Sequence, residues 1–209
     1  MMEMPIGILL AGGRANRMGG GDKCLKEISG VPLLAHVVRR LAPQCASLIL
    51  NANGAGERFA AFGLPIIGDD VPGFAGPLAG LLAGLDLIAA QHPQTNWALS
   101  AAADTPFLPG DLVARLHAAR LAQNATLVCA RSAGAIHPTI ALWPVALRHD
   151  LRHALVAENC RKVGAFQARY PLAYEDWNIE PFDPFFNVNR PEDLIAAERV
   201  CAAIDVAAR

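Results

Sequence analysis

The amino-acid sequence predicts an α/β fold around a mostly parallel sheet, on three observations. Short apolar runs alternate along the chain with segments whose apolar residues recur at helical spacing. The runs are almost continuously apolar, which is how strands read when helices cover both faces of a sheet. The chain has 209 residues, 53% of them apolar, with no internal repeat and no low-complexity linker. That suffices for one substantial core, so a single domain over residues 1–209 is expected.

The elements follow in order. Ile6-Gly7-Ile8-Leu9-Leu10 reads as a buried strand that stops just before Gly12-Gly13. Leu33, Leu34, Val37, Val38 and Leu41 fall on one helix face, with Pro32 suited to the first turn. Ser47-Leu48-Ile49-Leu50-Asn51 is the next strand and Pro65-Ile66-Ile67 a shorter one. The Gly/Pro-rich stretch from Gly63 to Gly80 is too apolar for a linker and reads as a loop lining a site. Leu78, Leu81, Leu82, Leu85 and Ile88 predict a helix, and Trp97-Ala98-Leu99-Ser100 a strand that ends before Asp104. Leu112, Leu116 and Ala119 mark a third helix, with Asp111 placed to cap it. Strands are expected over 125–129 and 139–143. Leu194, Ala197, Cys201 and Ile204 give a C-terminal helix. Pro191 fits its first position, and Glu192 and Asp193 suit its N-terminal dipole, but Arg190 is a poor residue for its cap.

Composition excludes several classes of function. Lys+Arg number 18 against 19 Asp+Glu, a net charge of −1, so there is no global footprint for nucleic acid or an anionic membrane. The most apolar stretch, Pro77 to Ala90, is broken by Asp86 and falls short of the ~20 residues that a bilayer requires. The start, Met-Met-Glu, carries no positive leader. Five scattered cysteines (Cys24, Cys45, Cys129, Cys160, Cys201) contain no C-x-x-C pair, which argues against disulfides and zinc and for a cytoplasmic setting. Cys24 stands out because it lies beside the glycine loop.

In an open α/β sheet, ligands bind beyond the carboxyl ends of the strands. The residues to watch are therefore Gly12-Gly13, Asn51, Asp69, Asp104 and the Asn187-Val188-Asn189 run. After the first strand comes Leu10-Ala11-Gly12-Gly13-Arg14-Ala15-Asn16-Arg17-Met18-Gly19-Gly20-Gly21-Asp22-Lys23. Five of the 18 glycines lie in it, and two of only three lysines, Lys23 and Lys26, lie in or just after it. Glycines let backbone amides approach a ligand, and Arg14, Arg17 and Lys23 add charge, which together suit a polyphosphate. No Gly-Lys pair exists for a Walker loop. Both G-x-G starts lack the third glycine, with Cys24 and Phe59 in its place.

The pattern Leu-Ala-Gly-Gly-x-x-x-Arg-Met-Gly-Gly-x-Asp-Lys resembles the signature loop of nucleotidyltransferases, most closely the molybdenum cofactor guanylyltransferase family. Further blocks keep step through the chain: Asn51-Ala52-Asn53, Gly68-Asp69-Asp70, Gly76-Pro77-Leu78-Ala79-Gly80, Asp104-Thr105-Pro106, His137-Pro138-Thr139 and Phe186-Asn187-Val188-Asn189-Arg190-Pro191-Glu192. The resemblance implies a Rossmann-like, three-layer domain of the nucleotide-diphospho-sugar transferase type. Its nucleotide-binding part would lie at about 1–110 and its acceptor-binding part at about 111–209. It further implies transfer of GMP from GTP to the terminal phosphate of molybdopterin, with Mg²⁺, and proteins that deliver or receive the cofactor.

Under that resemblance each candidate has a role and a plainer alternative. Leu10, Ala11, Gly12 and Gly13 would cradle the nucleotide. Arg17 and Lys23 would bind the triphosphate and neutralise charge in the transition state; Arg14 and Lys26 read as solvated. Asp104 would hold Mg²⁺, which needs only one or two carboxylates beside phosphate and water. Asn51 and Asp69 would select the nucleotide, with base and ribose roles undivided between them, and Asp70 takes over if the register slips by one. A carboxylate suits guanine, whose N1–H and N2–H are paired donors that cytosine lacks. The Gly76–Gly80 segment either faces ligand with a helix N-terminus or packs closely on the sheet. Asn187 and Asn189 share one face of an extended segment. With His137, Arg161 and Lys162 they are the acceptor-side candidates. His137 reads equally as structural, and Arg161 and Lys162 as a solvated helix end. The rivals are a cytidylyl- or sugar-phosphate nucleotidyltransferase, and a nucleotide-binding regulatory module without turnover.

Overall fold

The computed structural model describes residues 3–12, 21–71 and 76–207. Gly13, Arg14, Arg17 and the Gly19-Gly20 pair lie outside the described residues, as do 72–75. The elements run β1 (Ile6–Leu10), a small hairpin of β2 (Glu27–Ile28) and β3 (Val31–Pro32), α1 (Leu33–Leu41), β4 (Ser47–Asn51), β5 (Ile66–Ile67), α2 (Pro77–Gln91), β6 (Trp97–Ala102), α3 (Leu112–Ala122), β7 (Leu127–Ser132), β8 (Ala135–Pro144), α4 (Arg148–Val156), α5 (Val163–Gln167), β9 (Leu172–Trp177) and α6 (Pro191–Ala207).

Among the described residues the main sheet has seven strands, in the order β5-β4-β1-β6-β8-β7-β9. Four of its pairings are parallel; β8 alone runs against both neighbours. Side chains alternate across each strand, and the two faces bury different helices. Leu9, Leu50, Leu99 and Val128 pack under α1 and α3 through Leu34, Val37, Leu112 and Leu116. Ile8, Ile49, Ala98 and Trp143 pack under α2, α4 and α5 through Leu82, Leu85, Leu151 and Phe166. The result is three layers. A smaller cluster of Ile28, Leu33, Phe107, Val188 and Ala197 seats α6 against the hairpin.

Most predicted elements are present, with shifted edges. Strand β7 starts at Leu127 rather than 125, and β8 begins four residues before Thr139. Pro32 closes β3, so α1 starts one residue later. The sequence reading missed the β2–β3 hairpin, α4, α5 and β9. Strand β9 carries Glu175 and Asp176, which spoil its apolar pattern. Both are satisfied across chain: Arg115 Nε donates to Glu175 at 2.8 Å, and Arg131 Nε to Asp176 at 2.6 Å.

Two caps differ from expectation. Asp111 makes no side-chain cap to α3. Gln44 does so instead, accepting the Val113 N–H at 3.1 Å while its own amide donates to the Pro109 carbonyl at 2.8 Å. At α6 the poor capper Arg190 is compensated by Asp193, whose carboxylate accepts the N–H groups of Asn189 and Arg190 at 2.7 and 2.8 Å. This reach-back, half of a capping box, also fixes the segment just before the helix.

Candidate functional site

The register places the carboxyl ends of three strands level, with Leu10 of β1 opposite Asn51 of β4 and Ala102 of β6. Above this edge lies a cavity of 780 Å³, lined by Leu10, Ala11, Gly12, Asp22, Asn51, Asn53, Asp69, Asp104, Thr139 and Asn187, among others. Pockets for small ligands run to roughly 300–1,000 Å³, so a nucleotide fits.

One side is ionic. Lys23 is 8% exposed, and its ammonium forms an ion pair with Asp104. The same ammonium donates to the side-chain oxygens of Asn187, at 3.0 Å, and Asn189. Asn187 in turn donates to the other Asp104 oxygen at 2.8 Å. The Val188 N–H donates to the Asp104 carbonyl at 3.1 Å, and the Val188 side chain is fully buried. Alternation along this extended run then turns both asparagines toward Lys23. Burial raises the Asp104 carboxyl above the usual carboxylate value, with Lys23 opposing the shift.

The other side is built on Asp69. Asn51 Nδ2 donates to Asp69 Oδ1 at 3.0 Å, and Asn53 Nδ2 to Oδ2 at 2.8 Å. Asn53 Oδ1 accepts the Asp69 N–H at 2.8 Å, which makes the pair reciprocal. Helix α2 presses on this cluster. A Cβ on Gly80 would lie 2.5 Å from Asn51 Cγ, and one on Gly84 2.5 Å from Ile8 Cδ1. Close packing therefore explains Gly80, while Gly76 and Pro77 at the start of the helix line the cavity. Gly76 has φ 147°, a region that side-chain-bearing residues avoid.

Asp70, the neighbour that a slipped register would have substituted, points elsewhere and pairs with Arg152 at 2.9 Å. His137 does not line the cavity. Its ring packs 4.8 Å from that of Phe185, and its Nε2 is 2.8 Å from Ser132 Oγ. Burial lowers its pKa, with Asp183 opposing. Arg161 and Lys162 are exposed and also stand outside the cavity lining, Arg161 donating to Asn159 at 2.9 Å. Cys24 is buried and its thiol is pushed up to about 12, chiefly by burial, so it is inert as a nucleophile.

Among the lining residues given no role from sequence are Asn53, Asp22 and Arg58. Asn53 carried a signal, since it lies two residues from Asn51 along an extended chain. Arg58 carried none, being one of 15 arginines.

A buried ammonium paired with a largely buried carboxylate, beside a cavity that also holds an amide-braced carboxylate, at the edge of a mostly parallel sheet, makes a site suited to a charged, polar ligand such as a nucleotide. Comparison with known proteins narrows the class. Residues 7–171 match the model described as a MobA-like NTP transferase domain. The chain belongs to that family. A molybdenum cofactor guanylyltransferase of Rhodopseudomonas palustris (strain BisB5) is 63% identical over 193 residues, 92% of each chain. One of Bradyrhizobium sp. (strain ORS 278) is 60% identical, covering 95% of this chain and 94% of the relative. Among solved structures, molybdopterin-guanine dinucleotide biosynthesis protein A of Archaeoglobus fulgidus superposes with a TM-score of 0.73. Its identity is 22%, and the match covers 96% of this chain and all of that one. At that identity the likeness concerns the fold.

Proposed function

We propose that this chain transfers GMP from GTP to the terminal phosphate of molybdopterin. A phosphate oxygen of the acceptor attacks the α-phosphorus of GTP. The new P–O bond forms as the bond from that phosphorus to the α,β-bridging oxygen breaks, and pyrophosphate leaves. The whole chain acts as one domain, with the acceptor approaching from the half beyond residue 110. The observation that carries the guanine assignment is the bracing of Asp69 by Asn51 and Asn53. A carboxylate has about four lone-pair sites. Two are taken by the amides, which leaves one on each oxygen for the N1–H and N2–H of guanine. The names of the relatives agree with this substrate pair.

Lys23 serves the triphosphate. It exchanges Asp104 for phosphate oxygens and stabilises charge on the departing pyrophosphate. Asn187 and Asn189 hold its ammonium beside Asp104, which lines the cavity. Asp104 fits the requirement for Mg²⁺. It is a largely buried carboxylate on the cavity wall, and a nucleotide-bound Mg²⁺ draws its remaining ligands from phosphate and water. When bound there, Mg²⁺ would neutralise charge developing on the phosphates. No side-chain nucleophile is required, because positioning and charge stabilisation suffice for phosphoryl transfer. Arg17 joins the phosphate group in this proposal, and His137, Arg161 and Lys162 belong to the acceptor side.

A thermal-shift panel tests the reading. With Mg²⁺ present, GTP raises the melting temperature and CTP and ATP do not. At a concentration 100 times Kd, about 2.7 kcal/mol of stabilisation is expected. Equal shifts for the three nucleotides overturn the guanine assignment. Release of pyrophosphate with molybdopterin as acceptor tests the transfer itself.

A further inference from the structure

Asp22 and Lys23 are consecutive, yet they are tied to different walls of the cavity. Lys23 belongs to the Asp104 side. Asp22 is gripped by Arg58, which lies beyond β4 on the Asn53 side. The Nε–H and one Nη2–H of Arg58 donate to the two carboxylate oxygens of Asp22, the second at 3.2 Å. The other Nη2–H donates to the Asn53 carbonyl at 2.7 Å, and Nη1 donates to the Ala55 carbonyl. The guanidinium carbon sits 4.5 Å from the centroid of the Phe59 ring, a side chain that is only 1% exposed. Four of the five guanidinium N–H groups are thus engaged, and a ring plus two carbonyls orient the fork where it meets Asp22. Lysine has no such fork. Arg58, Asp22, Asn53 and Asp69 all line the cavity.

We propose that Arg58 is a positioning residue for nucleotide binding. Its clamp on Asp22 holds the Lys23 segment at a set separation from the Asn51–Asp69–Asn53 face, so that one nucleotide meets phosphate cation and base-selecting carboxylate together. The clamp acts through Asp22 rather than by touching the nucleotide, and it rests on the nucleotide-binding reading of this cavity. Exposed ion pairs contribute little to global stability. What the clamp contributes is order in place before binding, so the ligand does not have to create it.

Two measurements test it. In the ligand-free protein, amide hydrogen exchange over residues 21–26 reports the turn in which the Leu25 and Lys26 N–H groups bond back to Asp22 and Lys23. Arg58→Ala should speed exchange there while leaving β6 unchanged. In titrations with GTP, CTP and ATP, Arg58→Ala and Asp22→Ala should each weaken the tightest nucleotide about tenfold, seen in turnover as a rise in KM larger than the fall in kcat. The double variant should be no worse than either single one, and Arg58→Lys should recover only part of the loss. Unchanged exchange over 21–26 overturns the proposal. So does additive loss in the double variant, which would mean that Arg58 touches the nucleotide itself. A role confined to general stability would speed exchange across the sheet as well. If the wild type binds no nucleotide, the functional reading fails, while hydrogen exchange still decides the clamp.

Discussion

The ammonium of Lys23 pairs with one carboxylate oxygen of Asp104, while Asn187 donates to the other at 2.8 Å. Cation and carboxylate thus neutralise one another. A buried charge without a partner is costly, so each group holds the other in place. Under the proposed function, a magnesium-bound triphosphate would offer both of them a better partner at once.

Lys23→Ala should lower the rate of GMP transfer roughly 10²-fold or more, the usual cost of losing one transition-state donor. Steady-state assays at saturating GTP check this. A rate within a few-fold of wild type would remove Lys23 from the reaction.

Asp104→Asn should abolish Mg²⁺-dependent transfer and leave the protein folded. It should also change the pH dependence of stability in a defined direction. The folded-state pKa of Asp104 lies above its ordinary value, raised by burial. Such a group stabilises the fold while protonated, below about pH 3.9. That contribution is lost as the pH climbs through the raised value. Melting temperatures across a pH series should therefore show the asparagine variant gaining on the wild type from acid toward neutral pH. The opposite trend would contradict the burial argument.

Gly80→Ala and Gly164→Ala make a matched pair. At Gly80 the added methyl collides with the Asn51 side chain, whereas at Gly164, in α5, it meets nothing within 4 Å. The first should push Asn51 off Asp69 and weaken GTP binding about tenfold or more, on the scale of a lost hydrogen bond to a charged group. The second should leave binding intact and raise stability by about 0.5–1 kcal/mol. Calorimetric titration and thermal melts separate the two.

Asp69→Asn should erode selection for guanine more than it erodes overall affinity. An amide offers guanine one acceptor and one donor instead of two acceptors. Competition between GTP and ATP measures the ratio. An unchanged ratio would move base selection away from Asp69.

The layered α/β plan was legible because apolar spacing carries it. Ile6–Leu10 and Ser47–Asn51 are too apolar for an edge, and Leu33, Val37 and Leu41 repeat as only a helix does. Strand β9 was illegible because its Glu175 and Asp176 are satisfied by Arg115 and Arg131, partners distant in sequence. The third helix is capped by Gln44, which no local pattern announces.

At the site, the chain order alone marked Lys23, Asn51, Asp69 and Asp104, which lie in the glycine loop or at and just past strand ends, and the two asparagines, which share one face of an extended run. It also carried the family resemblance. Which aspartate of the 69–70 pair faces the cavity was decided by tertiary structure, through the partners that each finds: Asn51 and Asn53 for Asp69, Arg152 for Asp70. Tertiary structure likewise turned Asn187 and Asn189 onto Lys23, because Val188 between them is buried. It also brought Arg58 to Asp22. Residue type and spacing are local properties, and they mark where strands end. Which groups meet beyond those ends depends on how the layers pack, and that is set by contacts between residues far apart in the chain.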